Sequence, residues 1–269
     1  MLKASQIDAV GDAMREVAAE LIVPRFQNLS EGQIDTKSSA DDLVTVADRE
    51  AEAALEPRLM DILPGSVAVG EEAVAKDKSR MDRLKGDDPV WVIDPVDGTA
   101  NFVAGRPQFA VMVALVVRGQ IEAGWIYPPM EDVMAIGIVG SGATLNGEAL
   151  RALPARPFAE AFGDYAGRYF SDEVKAHYDK AVSKAGGYRA GRCSAYAYLD
   201  TARGDLDFVI QYLMSPWDHA AGVAVLREAG GAIRYLDDGS NYSPLQWQPR
   251  TMLATCHQDA WADYARRLT

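Results

Sequence analysis

The chain has 269 residues, 39 acidic against 27 basic, and a formal net charge of −12. With 48% hydrophobic and 25% charged residues, it has the balance of a soluble globular protein, one large domain or two smaller ones, which excludes disorder and collagen-like structure. The longest apolar run, Phe109 to Val117, falls far short of the ~20 residues of a membrane helix.

The N-terminus lacks the basic-then-apolar layout of a signal peptide. Cys193 and Cys256 make neither a disulfide framework nor a metal-site spacing. A reducing cytoplasm is therefore the expected compartment. The acidity argues against nucleic-acid and membrane-surface partners, which need a basic face. The charge is uneven, however. Up to Asn146 there are 24 acidic and 13 basic residues, and beyond it 15 and 14.

Ile7, Val10, Met14, Val17, Ala18 and Leu21 recur at helical steps, and Pro24 marks the end of that helix. Gly32 to Asp42 is polar and loop-like. Thr45-Val46-Ala47-Asp48 has the form of a helix start, with Thr45 as N-cap and Asp48 in the first turn. Ser66 to Val69 is a short strand ending at Gly70-Glu71-Glu72, and Ala75 to Asp88 is a charged, exposed excursion. Val90 to Ile93 is a buried-type strand running into Asp94. Phe109 to Val117 and Ile121 to Tyr127 flank Arg118-Gly119-Gln120 as a hairpin, and Met134 to Val139 is a further strand.

Beyond the Asn146-Gly147 turn, helix and strand patterns alternate. Ser194 to Ala202 is helical and stops at Gly204, and Asp207 to Ile210 is extended. Asp218 to Ala229 is an Ala-rich helix closed by Gly230-Gly231. Ala232 to Tyr235 and Met252 to Ala254 are strands, and Trp261 to Leu268 is a closing helix. This mixed α/β chain divides into residues 1–146 and 147–269.

The chemistry concentrates in Trp91-Val92-Ile93-Asp94-Pro95-Val96-Asp97-Gly98-Thr99. Two carboxylates follow a buried strand, and Pro95 forbids a helix through them. Gly98-Thr99 offers backbone N–H groups and a hydroxyl suited to a phosphate. Unit charges ~4 Å apart repel by about 4 kcal/mol at an effective dielectric of about 20. A divalent cation removes that cost, and all-oxygen ligation suits Mg²⁺ or Mn²⁺ rather than zinc. The aspartates stand three apart with a proline between. That spacing favours a metal-activated water over an aspartyl-phosphate intermediate.

Four elements together resemble the inositol monophosphatase family of Mg²⁺-dependent, lithium-sensitive phosphatases. They are Lys37-Ser38-Ser39 with Asp42-Leu43-Val44-Thr45 and Asp48; Gly70-Glu71-Glu72; the segment Asp94 to Thr99; and Pro216-Trp217-Asp218-His219-Ala220-Ala221-Gly222. The resemblance runs from about residue 5 to the C-terminus. It implies a layered α/β/α/β/α sandwich of the inositol monophosphatase and fructose-1,6-bisphosphatase type, an α/β (α+β) fold, assembled as a homodimer.

The resemblance also implies roles. Glu71, Asp94 and the carbonyl of Val96 would hold one Mg²⁺. Asp94, Asp97 and Asp218 would hold a second, and Glu71 would help with a third. Asp48 and Thr99 would orient and deprotonate the attacking water. Gly98 and Thr99 would bind phosphate, and Lys37 would lie on the loop near the third metal. Substrate contacts would come from Asp97, Ala195, Gln211 and Asp218. Glu72 and His219 read as neighbours of the ligands.

The substrate side departs from the pattern. Gln211 stands where inositol-phosphate enzymes commonly carry an acidic residue. Arg192-Cys193-Ser194-Ala195-Tyr196 replaces a turn of small residues. Arg192 and Tyr196 add a cation and a ring, with Tyr165, Arg168, Tyr169 and Tyr212 nearby in motif terms. Arg168, Arg189 and Arg192 make the second half the better place to receive a further anionic group. The expected function is hydrolysis of a small phosphate monoester, inositol-phosphate-like or related. Alternatives are a 3′(2′),5′-bisphosphate nucleotidase, a histidinol-phosphate phosphatase, a sugar-bisphosphate phosphatase, or a non-catalytic binding relative that kept the fold.

Overall fold

The computed structural model describes residues 2–36 and 43–269. Helix α1 (Ala4–Val17) continues into a π-helical turn (Ala18–Ile22) and a 3₁₀ turn at Pro24. A short ribbon, β1 (Ile34–Thr36) and β2 (Leu43–Thr45), leads into α2 (Val46–Ile62). Then come β3 (Val67–Gly70), α3 (Glu71–Lys76), β4 (Val90–Asp97) and α4 (Thr99–Val103). The meander β5 (Ala110–Val117), β6 (Gln120–Tyr127), β7 (Ala135–Ile138), β8 (Gly142–Leu145) and β9 (Glu148–Leu150) completes a seven-stranded sheet in the order β3-β4-β5-β6-β7-β8-β9.

The rest of the chain supplies β10 (Phe162–Tyr165), α5 (Asp172–Val182), β11 (Gly187–Arg189), α6 (Ser194–Arg203), β12 (Phe208–Gln211), α7 (Pro216–Ala229), β13 (Ala232–Tyr235), β14 (Met252–Thr255) and α8 (Trp261–Leu268). Its five strands form a second sheet in the order β11-β10-β12-β14-β13.

Side-chain alternation along the strands builds the layers. Trp91 and Ile93 of β4, with Val111, Val113 and Trp125, pack against α1 and α2. Val90 and Val92, on the opposite face, pack with Met112 and Ala114 against α6 and α7. The same cluster includes Val209, Ile233 and Met252 of the small sheet, so α6 and α7 lie between the two sheets. The outer face of the small sheet is covered by α5 and α8, through Tyr178, Val182, Tyr264 and Leu268. The order is helices, sheet, helices, sheet, helices: the layered α/β/α/β/α sandwich.

Several elements differ from the sequence expectation. The span 75–88 is exposed over most of its length, as expected, but it is anchored. A 3₁₀ segment, Lys78–Lys85, buries Met81 and Leu84 against β3 and β4. Part of the polar stretch 32–42 pairs as β1. The strand begun at Val90 runs on through Asp94 to Asp97.

Candidate active site

A cleft of about 1020 Å³ opens where the ends of β3, β4 and β12 meet the starts of α4, α6 and α7. Glu71, Asp94, Val96, Asp97, Gly98, Thr99 and Asp218 all line it. Asp94 and Asp97 are an odd number of residues apart, so a regular strand would aim them at opposite faces. The β4–β5 register shifts between them. This irregularity, which holds Pro95, resets the alternation and turns both carboxylates into the cleft. Asp218 arrives from the first turn of α7, whose first residue is Pro216. One oxygen each of Asp94, Asp97 and Asp218 lie within 4.8 Å of one another.

The carboxylates are individually held. Asp94 Oδ1 accepts the Val96 N–H at 3.1 Å. Asp97 Oδ2 accepts the Ala195 N–H at 2.6 Å and the Cys193 thiol at 2.8 Å, which ties it to the start of α6. Burial raises the Asp94 pKa well above the ordinary range, and the charges of Glu71, Asp97, Asp218 and Asp48 raise it further. Burial also raises Asp97, against the lowering effect of Cys193 and the backbone amides. Neither Asp94 nor Asp97 forms a salt bridge among the described residues. Crowded, buried, all-oxygen donors that resist joint ionisation are the donor set a hard divalent cation fits.

Asp48 sits behind this front, 1% exposed. Thr45 caps α2, and its backbone N–H and hydroxyl donate to Asp48 Oδ2 at 2.8 and 2.6 Å. Asp48 Oδ1 is 3.2 Å from Thr99 Oγ1, which also lies 3.0 Å from the Val96 carbonyl. The Asp48 carboxylate thus reaches the cleft through the Thr99 hydroxyl. Gly98, at φ +87°, turns the chain between strand and helix. A Cβ there would lie 2.9 Å from the Gln108 carbonyl oxygen and 3.2 Å from Cys193.

One supporting residue escaped the sequence reading. Glu52 of α2 is buried and accepts the N–H groups of Glu72 and Ala73, both at 2.7 Å, so it caps α3 and fixes where Glu71 begins. Burial lifts its pKa to about 7, against the lowering effect of those amides. A Cβ on Gly70 would fall 2.3 Å from the Glu52 carboxyl carbon. Gly70 is a glycine because Glu52 fills the space that a side chain there would take, a relation visible only in the fold.

The substrate-side expectations separate. Arg192 and Gln211 line the cleft with Arg168, Tyr169 and Tyr212. Ala195 is fully buried, and its N–H is committed to Asp97. Tyr196 points its hydroxyl toward the Pro107 carbonyl, and Tyr165 packs among Phe170, Tyr178 and Tyr188. Arg189 bridges Asp164 and Asp200, so its charge is spent inside the protein. His219 is buried between the Tyr198 hydroxyl and the Leu213 carbonyl, and burial lowers its pKa to about 4, leaving it neutral. Burial and Asp97 push the Cys193 thiol well up, away from any nucleophilic role. Lys37 lies outside the described residues.

A five-layer sandwich with a carboxylate-lined cleft at its strand ends defines a class of α/β protein. The chain belongs to the inositol monophosphatase family, whose model matches residues 3–267. It is 29% identical to the inositol-1-monophosphatase of Bacillus subtilis over 253 residues, 93% of this chain and 89% of that one. It is 31% identical to the Nus factor SuhB of Escherichia coli over 232 residues, 84% and 83% of the two chains. Among solved structures, the extragenic suppressor protein suhB of Bartonella henselae superposes with a TM-score of 0.82 at 24% identity, covering 99% of each chain. That likeness concerns the fold.

Proposed function

We propose that this protein hydrolyses a small phosphate monoester with the help of Mg²⁺. The observation that carries the reading is the convergence of Asp94, Asp97 and Asp218 in a cleft also lined by Glu71 and Thr99. Glu71, Asp94 and the Val96 carbonyl would hold one ion, Asp94, Asp97 and Asp218 a second, with Glu71 assisting a third. When bound, such ions neutralise the carboxylates, lower the pKa of water and offset charge on the transferring phosphoryl group.

The protein's own groups do the rest. Asp48, fixed by Thr45, accepts a proton relayed through Thr99 Oγ1 from the attacking water. The new phosphorus–oxygen bond forms as the ester bond breaks, and the leaving oxygen takes a proton from solvent water, so that phosphate and an alcohol are released. The backbone at Gly98 and Thr99, where β4 turns into α4, would receive the phosphate. Ala195 serves in this scheme through its N–H to Asp97 rather than as a substrate contact.

The remaining parts of the reading are a cytoplasmic homodimer, with residues 1–146 carrying most metal ligands and residues 147–269 contributing Asp218 and the leaving-group side. Among the described residues no helix is long and apolar enough to cross a membrane. A second reading, a binding protein without catalysis, is supported by the relative named a Nus factor. A phosphate-release assay on inositol phosphates, adenosine bisphosphates, histidinol phosphate and sugar bisphosphates, with and without Mg²⁺, separates the two. Mg²⁺-dependent release supports the phosphatase. No release from any ester, with the folded protein intact, supports the binder.

A further inference from the structure

The cleft lining carries both signs: the carboxylates Glu71, Asp94, Asp97 and Asp218, which make up its inner end, and the guanidinium side chains Arg168 and Arg192, on the part of the lining termed the far wall. Neither arginine makes an ion pair among the described residues. Both side chains are exposed to the cleft, not buried in packing. Asp164, the acid on that wall, is paired with Arg189, 3.1 Å away, which Asp200 shares, so the three guanidiniums of Arg168, Arg189 and Arg192 stand against two carboxylates. The far wall is therefore net cationic.

The two arginines are also placed. Arg192 has φ +58°, a left-handed conformation unfavourable for a side chain of its kind. Anchors on both sides hold it there. The Gly191 N–H donates to both Asp164 oxygens at 3.2 Å, and Cys193 and Ala195 donate to Asp97. The backbone of Arg192 is thus clamped between a far-wall carboxylate and an inner-end one. Arg168 lies over the Tyr169 ring at 4.5 Å and donates to that hydroxyl, two contacts that restrain its guanidinium. A half-buried amide completes the wall: Gln211 Nε2 donates to Ser194 Oγ at 3.3 Å, while its buried Oε1 has no partner. That oxygen asks for an O–H or N–H donor.

Resting on the phosphatase reading above, we infer that the preferred ester has a leaving group with a second anionic group, a phosphate or carboxylate. Arg168 and Arg192 would bind that group, and Gln211 would accept a hydrogen bond from a hydroxyl. Guanidinium forks suit such oxyanions bidentately. A neutral polyol would leave both arginines without a partner, and a cationic leaving group would be repelled.

The test compares kcat/KM for matched esters on the full-length enzyme with Mg²⁺: adenosine 2′-phosphate against adenosine 2′,5′-bisphosphate, and glycerol phosphate against phosphoglycerate. The doubly anionic member should be preferred at least about tenfold, a difference of about 1.4 kcal/mol. Arg192→Ala and Arg168→Ala should each lower that preference ratio several-fold, mainly through KM, with Arg192→Lys recovering part of it. The ratio does not depend on the fraction of folded enzyme. Hydrolysis with a ratio near one, or a ratio unmoved by either substitution, overturns this inference and leaves the phosphatase standing. No hydrolysis of any ester, p-nitrophenyl phosphate included, overturns both.

Discussion

The two ends of the cleft are built by different means. At the inner end, the local chain sets the direction of each aspartate: a capped helix start for Asp48, a strand irregularity for Asp94 and Asp97, and a proline-led helix start for Asp218, with Asp97 then held by Cys193 and Ala195 and the helix of Glu71 capped by Glu52. At the far wall, the same kind of job falls to contacts between distant segments, as when Asp164 of β10 anchors Gly191 and Arg189. The inner end gathers like charges that oppose burial. The far wall uses opposite charges, one arginine structural and two open to the cleft. The comparison teaches that a carboxylate cluster without cations is a functional expense, whereas a carboxylate–guanidinium cluster is a structural support.

That contrast can be broken at either end. Thr99→Ala interrupts the link from Asp48 to the cleft, and kcat should fall by about 10²–10³-fold with little change in KM or thermal stability. Steady-state kinetics and a melting curve check both halves of that statement. Arg189→Ala should do the reverse. It leaves Asp164 and Asp200 buried without their partner, so denaturant unfolding should show a loss on the order of 2 kcal/mol, discounted for the partial exposure of the arginine. Its kcat should stay within a few-fold of wild type. If Arg189→Ala instead abolishes turnover without loss of stability, this arginine belongs with the substrate contacts.

The third effect is smaller and depends on pH. In the metal-free protein, Asp94 holds its proton to higher pH than in the unfolded chain, because burial and then Glu71, Asp97, Asp218 and Asp48 disfavour its charge. The folded state then binds more protons than the unfolded one above about pH 4. The contribution of Asp94 is greatest below that pH and is lost as pH rises through the folded pKa. Asp94→Asn removes the titration. In EDTA the variant should gain on wild type as pH rises from 5 to 8, read as a midpoint shift in denaturant unfolding. A difference that stays flat with pH means the carboxylates do not crowd one another.

Most of the inner end was legible in the sequence because its geometry is local. The Thr45–Asp48 capping box, the Asp94-Pro95-Val96-Asp97 interruption and the Gly230 helix stop each declare themselves within a few residues. The hairpin β5–β6 did so too. Glu52 was not legible, because its partners Glu72 and Ala73 lie some twenty positions away and nothing near it marks a cap. In sequence Arg189 is indistinguishable from an arginine open to substrate for the same reason, since its partners on β10 and α6 come together only in the fold. The strands β10 and β11 are short, pair in parallel and carry little alternation, so periodicity did not announce them.

Calorimetric titration of Mn²⁺ into the metal-free protein tests most directly whether the inner carboxylates form a cation site. Wild type should take up at least one ion per chain, and Asp94→Asn should bind it about 100-fold more weakly, or not at all. Equal binding by wild type and Asp94→Asn, or no binding by either, would contradict it.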